Sequence, residues 1–375
     1  MIYLDSAATS LLKPRSVGEG MLYAMRHYAS PGRGEHAAAD GAAETVYACR
    51  EEVAALFHVK EPDKVVFTMN TTHGLNIAVR SLVSPGMRVV ISGFEHNAVT
   101  RPLYAVGARI DVAESELFDQ EQLLDSFRRK IPGAGAVICT HVSNVFGMIL
   151  PLEEIARLCR EYNVPLIVDA AQSAGSFDID FPALGAAFLA APGHKGLLGP
   201  QGTGLLLCRD GAEPLLYGGT GGLSRETGMP AFLPDRLEAG TQNVCGIAGL
   251  LQGVRYIRSL GTPQIRCRED ALLGRLIRGL NELDDIRVYS RNGIVQTGLV
   301  SVLPRKMDCE TFSRCLGREG IAVRAGLHCA PLAHATAGTI RTGTVRFSVS
   351  PFNTEGEIDD ALAVMEKTIK NSNIL

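Results

Sequence analysis

The sequence has no CxxC pair, no apolar run of bilayer length and no long run of one charge. Each absence removes a class of protein. The cysteines, at 49, 139, 159, 208, 245, 267, 309, 315 and 329, are scattered and odd in number. That is a poor disulfide framework, and it reads as reduced thiols in the cytoplasm. No apolar stretch approaches the ~20 residues needed to cross a bilayer, so no membrane partner is expected. The opening Met1-Ile2-Tyr3-Leu4-Asp5 lacks the basic and apolar regions of a secretory signal. Lys and Arg number 37 against 40 Asp and Glu, and the longest basic run is Arg128-Arg129-Lys130. Nucleic acid is therefore not an expected partner. Nothing in the sequence leads us to expect a metal.

What is present is an ordinary globular balance, 46% hydrophobic and 21% charged. With 375 residues and roughly 100–200 per domain, two domains are expected. Short β-branched runs at Val65–Thr68, 89–92, Ala136–Thr140, Leu166–Asp169, 186–189 and Gly204–Cys208 alternate with helix-like stretches at 74–82, Gln120–Lys130 and 152–162. Apolar strands between amphipathic helices predict a mostly parallel α/β sheet covered on both faces. Beyond about residue 255 the texture changes. Helices at 246–259 and 268–283 precede short strands at Ile286–Tyr289, 299–303, 321–324 and 345–349, and a helix at 355–370 closes the chain. The expected division is a large domain at 15–255 and a small α+β domain made of 1–14 and 256–375.

In a parallel sheet, ligands bind at the carboxyl ends of the strands. Polar residues gather there in this sequence. Asn70-Thr71-Thr72-His73-Gly74 reads either as a phosphate-binding helix N-terminus or as a plain cap. Glu95-His96 puts a flat imidazole just past a strand end, where it could stack on a ring or fill a loop. Asp169, in Leu166-Ile167-Val168-Asp169-Ala170-Ala171-Gln172-Ser173, ends an apolar strand. A carboxylate there needs a cationic or hydrogen-bonding partner, unless it only caps the next helix. A protonated pyridine nitrogen would be such a partner. Lys195, in Ala191-Pro192-Gly193-His194-Lys195-Gly196, is either a solvated turn lysine or a Schiff-base lysine, which requires a confined site that favours the neutral amine.

The ordered set Thr-Thr, Glu-His, His141-x-x-Asn144, Asp-x-x-Gln and Gly-His-Lys resembles the class V aminotransferase superfamily, the fold type I pyridoxal phosphate enzymes. The resemblance runs from Tyr3-Leu4-Asp5-Ser6-Ala7-Ala8-Thr9 to Phe352-Asn353-Thr354-Glu355. Within that superfamily, Arg324-Ala325-Gly326-Leu327-His328-Cys329-Ala330-Pro331 resembles the Arg-x-Gly-x-His-Cys-Ala motif of the second group of cysteine desulfurases, which share a branch with selenocysteine lyases. Cysteine surrounded by Gly, His and Arg is also better suited to thiolate formation than one in an apolar run.

The resemblance implies a desulfurase that converts L-cysteine to L-alanine and carries the sulfur as a Cys329 persulfide. The alternatives are selenocysteine lyase, another class V aminotransferase or lyase, and, more distantly, a non-catalytic scaffold. It also implies roles for individual residues. Lys195 would hold the cofactor and move protons. Asp169 would pair with the ring nitrogen and Gln172 with the ring hydroxyl, while His96 would stack on the ring. Thr71, Thr72 and His194 would hold the phosphate together with Thr241, in Glu238-Ala239-Gly240-Thr241, of a second copy. Asn144 and Arg346 would bind the substrate carboxylate, with Arg341 competing for the latter role. His36, in Arg33-Gly34-Glu35-His36, would reach the neighbouring site. Residues shared in this way imply a homodimer, and a persulfide implies a sulfur-acceptor protein. Two positions depart from the pattern. Pro192 replaces a frequent Ser and offers neither hydroxyl nor N–H, and Leu327 replaces a frequent His.

Overall fold

The computed structural model describes residues 1–32, 34–222, 225–291 and 295–371. Strands Val65–Thr68, Ala136–Thr140, Leu166–Asp169 and Gly204–Cys208 are buried at every position. They belong to a seven-stranded sheet, ordered Val65–Thr68, Gly204–Cys208, Phe188–Pro192, Leu166–Asp169, Ala136–Thr140, Arg88–Ser92, Arg109–Ala113. Gly204–Cys208 runs antiparallel to both of its neighbours, and every other adjacent pair is parallel.

Strand alternation divides the core into two layers. Val137, Cys139, Leu166, Val168, Leu189 and Leu205 pack with helices Ala37–Leu56, Gln120–Lys130, Leu152–Glu161 and Val244–Leu260. Ile138, Ile167, Phe188 and Leu206 face the other way, onto Thr71–Leu82 and Asn97–Ala105. Both faces are covered, which is why these strands read as continuous apolar runs.

A third core belongs to a four-stranded antiparallel sheet ordered Arg324–Gly326, Thr344–Ser348, Leu299–Pro304, Ile286–Tyr289. Val300, Val302, Val345 and Phe347 pack on side chains of helices Thr262–Glu282, Cys309–Arg318 and Glu355–Asn371. The chain's first strand, Ile2–Tyr3, joins this half by pairing in parallel with Ile321–Ala322.

Some elements differ from the sequence reading. The helix expected at 74–82 begins at Thr71, capped by the Asn70 side chain on the His73 N–H at 2.9 Å. The strand expected at 186–189 runs Phe188–Pro192, with Pro192 at its last position. The run 321–324 is two strands, split at Val323. The edge strand Arg109–Ala113 was not expected: its outer residues are exposed and Arg and Asp interrupt its apolar pattern.

Candidate active site

Five loops leave the carboxyl ends of the parallel strands and enclose a cavity of about 220 Å³. Thr71, Thr72, His96, Asn144, Asp169, Gln172, His194, Lys195 and Arg346 all border it. The glycines beside Lys195 permit this approach. A Cβ on Gly193 would lie 2.0 Å from Thr203 Oγ1, and one on Gly196 would lie 2.3 Å from the Ala174 carbonyl. From the other side, Ser10 N and Oγ donate to the His194 carbonyl at 2.9 and 3.1 Å.

Lys195 is half-buried. Desolvation, and secondarily the Arg346 charge, pushes its amine down to about 8, while Asp169 pulls the other way. Asp169 is 2% exposed, and its carboxylate accepts one hydrogen bond, from Ala171 N at 2.9 Å. Burial raises its pKa, with the Ala171 N–H and Lys195 opposing. His96 Nδ1 accepts from Ala98 N at 3.0 Å. Burial, followed by the Lys195 charge, lowers the ring to about 4, so it is a neutral imidazole at pH 7. His194 is lowered to about 4 by the same two causes, and its Nδ1 lies 3.1 Å from Thr9 Oγ1. Next to His96 in the chain, Glu95 is fully buried. It accepts from Ser92 Oγ at 2.5 Å and Thr140 N at 2.9 Å, and desolvation raises it to about 8.

Arg346 is 1% exposed. It donates to the Asn144 carbonyl at 2.9 Å and pairs with Asp5 at 2.8 Å, and its Nε has no partner among the described residues. Arg341 does not border this cavity; it lines a separate groove. Gln172 Nε2 donates to the Ala7 carbonyl at 3.0 Å.

Cys329 lies in a tight turn. His328 and Cys329 have φ of 48° and 56°, the left-handed region that non-glycine residues rarely occupy. The turn is held from both sides: Asn97 N donates to the Cys329 carbonyl at 2.7 Å, and Asn144 Nδ2 donates to the His328 carbonyl at 2.7 Å. The Cys329 residue itself is exposed, and its neighbour His328 borders the cavity.

Besides Arg341 and Cys329, two further residues of the sequence reading, Thr241 and His36, do not line this cavity. Thr241 is exposed and lines outer cavities, close to the Gly218–Gly222 segment through a 2.8 Å bond from Gly240 N to the Gly219 carbonyl. His36 is exposed and caps helix Ala37–Leu56, and Arg33 of the same segment lies outside the described residues. Two residues quoted in the sequence motifs carried no site role there. Arg324 borders the cavity directly opposite Arg346 in strand register. Asp5 pairs with Arg346 from outside the cavity lining.

The residues fit a phosphorylated, protonated pyridine aldehyde. Thr71 Oγ1 is buried without a partner among the described residues, at the N-terminus of a 12-residue helix, where an anion is favoured. Across the same cavity stand a buried carboxylate with one hydrogen bond and an amine poised to lose its proton.

The family model of the class V aminotransferases matches residues 2–361. The chain belongs to the class V aminotransferase family. Among curated relatives of this class V chain, a "Probable cysteine desulfurase" of Pyrococcus abyssi is 33% identical over 99% of this chain and 95% of its own length. A solved cysteine desulfurase from Thermococcus onnurineus superposes with a TM-score of 0.91 at 32% identity, covering 99% of this chain and 95% of that one. The cysteine desulfurase CsdA of Escherichia coli superposes at 0.85 with 25% identity, over 99% and 95%. Among the described residues, no helix is long and apolar enough to cross a membrane, and no three His, Cys, Asp or Glu side chains form a metal-binding group.

Proposed function

We propose that this chain is a pyridoxal phosphate-dependent cysteine desulfurase that converts L-cysteine to L-alanine and retains the sulfur on Cys329. One observation carries the reading. The turn bearing Cys329 is tied by its backbone to residues 97 and 144, at the cavity that Lys195 and Asp169 border.

Thr71, Thr72 and His194 would hold the phosphate, Asp169 the ring nitrogen and Lys195 the aldehyde carbon, with His96 against the ring face. When bound, the cofactor supplies an electron sink for the pair released at the substrate α-carbon. Asp169 keeps the ring nitrogen protonated, a charge preorganised where electrons arrive. Lys195, with its pKa near 8, takes the α-proton as a neutral amine and returns it as the alanine skeleton forms. Neutral His96 adds no further cation to the Arg346 charge that already acts on that amine. Arg346 and Asn144 orient the substrate carboxylate. The Cys329 thiolate attacks the substrate sulfur; a sulfur–sulfur bond forms and the carbon–sulfur bond breaks, with its electron pair left on the carbon skeleton.

In this reading Thr241 and His36 serve the site of a second copy, so the working unit is a homodimer in the cytoplasm. Exposed Leu22, Tyr23 and Met25 on helix Arg15–His27 support an apolar contact between copies. Residues 15–255 would form the cofactor domain, and 1–14 with 256–375 the smaller one. The test is stoichiometry: cofactor-loaded protein given L-cysteine and a reductant should yield alanine and sulfide in equal amounts. Cys329→Ala should yield neither. Undiminished alanine in that variant would point to another class V reaction.

A further inference from the structure

A second cavity, of about 50 Å³, adjoins the candidate active site. Lys195, Gln172, Ala7, Ala171 and Val142 border both spaces and so form the wall between them. Glu269 borders only the second. Its helix, Thr262–Glu282, shows why it stands out. Ile265, Leu272, Leu273 and Leu276 are buried there, and Glu269 occupies a position of the same apolar stripe. It is 8% exposed. Its carboxylate accepts one hydrogen bond, from Ser176 Oγ at 2.8 Å, and meets no cation at ion-pair distance among the described residues. Arg266, one turn away, pairs with Asp270 instead.

A carboxyl so placed is costly as an anion. Desolvation raises its pKa to about 7, with the Ser176 hydroxyl opposing and the Asp270 charge adding. Lys195, the other titratable side chain bordering this cavity, is held at about 8. The charged neighbours of Glu269 on its own helix are Arg266, Arg268 and Asp270. A proton therefore passes between carboxyl and amine at little cost if something carries it. The cavity suits water for that purpose. About 10–15 Å³ holds one molecule, and Ser6, Ser10, Ser176 and Ser350 line the space with hydroxyl groups.

The reaction proposed above sets a demand that Lys195 alone does not meet. Lys195 takes the α-proton and returns it, so that proton needs no store. The alanine methyl group carries a hydrogen that the cysteine methylene lacked, and this second proton needs a source. We propose that Glu269 supplies it, through water in the adjoining cavity and the Lys195 amine. The proposal rests on the desulfurase reading. Once Lys195 has returned the α-proton, the Glu269 carboxyl passes its own to the neutral amine by way of the water. The electron pair left on carbon by the broken carbon–sulfur bond takes it from the ammonium. The Glu269 carboxylate then regains a proton from solvent, and no oxidant or reductant enters. Glu269 does not border the site cavity, so it is a positioning residue that acts through Lys195.

The test is a single turnover of cofactor-loaded protein with L-cysteine, quenched at intervals with an alkylating agent. Sulfur on the Cys329 peptide and free alanine are measured in the same samples. In Glu269→Gln, whose amide oxygen still accepts from Ser176, sulfur should reach Cys329 at the parental rate. Alanine should follow about tenfold more slowly or worse, a smaller loss than the ~10²–10⁴ of a group in direct contact. Glu269→Asp keeps a carboxyl and should recover part of that rate. Independently of turnover, infrared difference spectra of the cofactor-free chain against Glu269→Gln should show a protonated carboxyl below about pH 6 that is lost above about pH 8. Four results would each overturn the proposal: parental alanine release in Glu269→Gln, equal slowing of sulfur and alanine there, no recovery in Glu269→Asp, or a carboxylate already ionised in the acidic spectrum. Absence of both sulfur on Cys329 and alanine in the parent would overturn the desulfurase reading itself, and the proposal with it.

Discussion

Asp5 and Arg346 lie 341 positions apart in the chain and meet at 2.8 Å, joining the N-terminal segment to strand Thr344–Ser348. Four residues after Asp5, Thr9 Oγ1 donates to the carbonyl of His194 at 3.1 Å, beside Lys195. The same short segment therefore touches both ends of the site.

Removal of Asp5 should expose that dependence. Arg346 is almost wholly buried, so Asp5→Ala leaves a guanidinium with only the Asn144 carbonyl. Breaking a buried pair from one side costs about 3–5 kcal/mol. Asp5 is 19% exposed, which favours the lower figure. Urea unfolding should show a loss near 3 kcal/mol for Asp5→Ala and a smaller one for Asp5→Asn. No loss in either would mean that the pair is only incidental to the site.

Lys195 should make the cofactor-free protein less stable at neutral pH. Its folded pKa is lowered to about 8 from 10.5. Between those values the unfolded chain binds more protons, so stability rises with pH across this window. Lys195→Met removes the penalty. It should stabilise the cofactor-free protein by up to about 3 kcal/mol near pH 7, with the gain fading above pH 10. Thermal unfolding of the pair at several pH values checks the sign.

Glu95 behaves in the opposite sense. Its folded pKa is raised from 4.5 to about 8. Its contribution is full below pH 4.5 and is lost as pH rises through 8. Glu95→Gln can still accept from Ser92 and Thr140, and should flatten that decline. Glu95→Ala should destabilise at every pH. A steeper decline in the Gln variant would contradict the assignment.

Arg50 and Glu238 form a second buried pair, 4% and 9% exposed, three residues before Thr241. Glu238 also accepts from Phe67 N at 2.6 Å. Arg50→Met should cost about 3–5 kcal/mol by stranding the carboxylate, Glu238→Leu a similar amount by stranding the guanidinium, and the two together should recover most of it. Equilibrium unfolding of the four proteins closes the cycle. If the double change adds the two single losses, the residues are not coupled.

The central strands were legible because burial on both faces writes them as apolar runs, and Asp169 and Lys195 follow directly from where two of those runs end. The edge strand Arg109–Ala113 was not legible, because exposure mixes Arg and Asp into five residues. Helix Ala37–Leu56 was equally faint, since alanines rather than large apolar side chains make much of its contact face. The Asp5–Arg346 pair, the register that sets Arg324 opposite Arg346, and the left-handed turn at His328-Cys329 are products of tertiary pairing, which no local spacing encodes. The sequence motif named Cys329, but the hydrogen bonds that tie its turn to Asn97 and Asn144 appear only in the fold.

The most direct measurement is a single turnover without reductant, followed by peptide mass analysis. Cofactor-loaded protein mixed with L-cysteine should release one alanine and gain one sulfur atom on the peptide that contains Cys329. Alanine with no added sulfur, or sulfur found instead on exposed Cys267, would contradict the account.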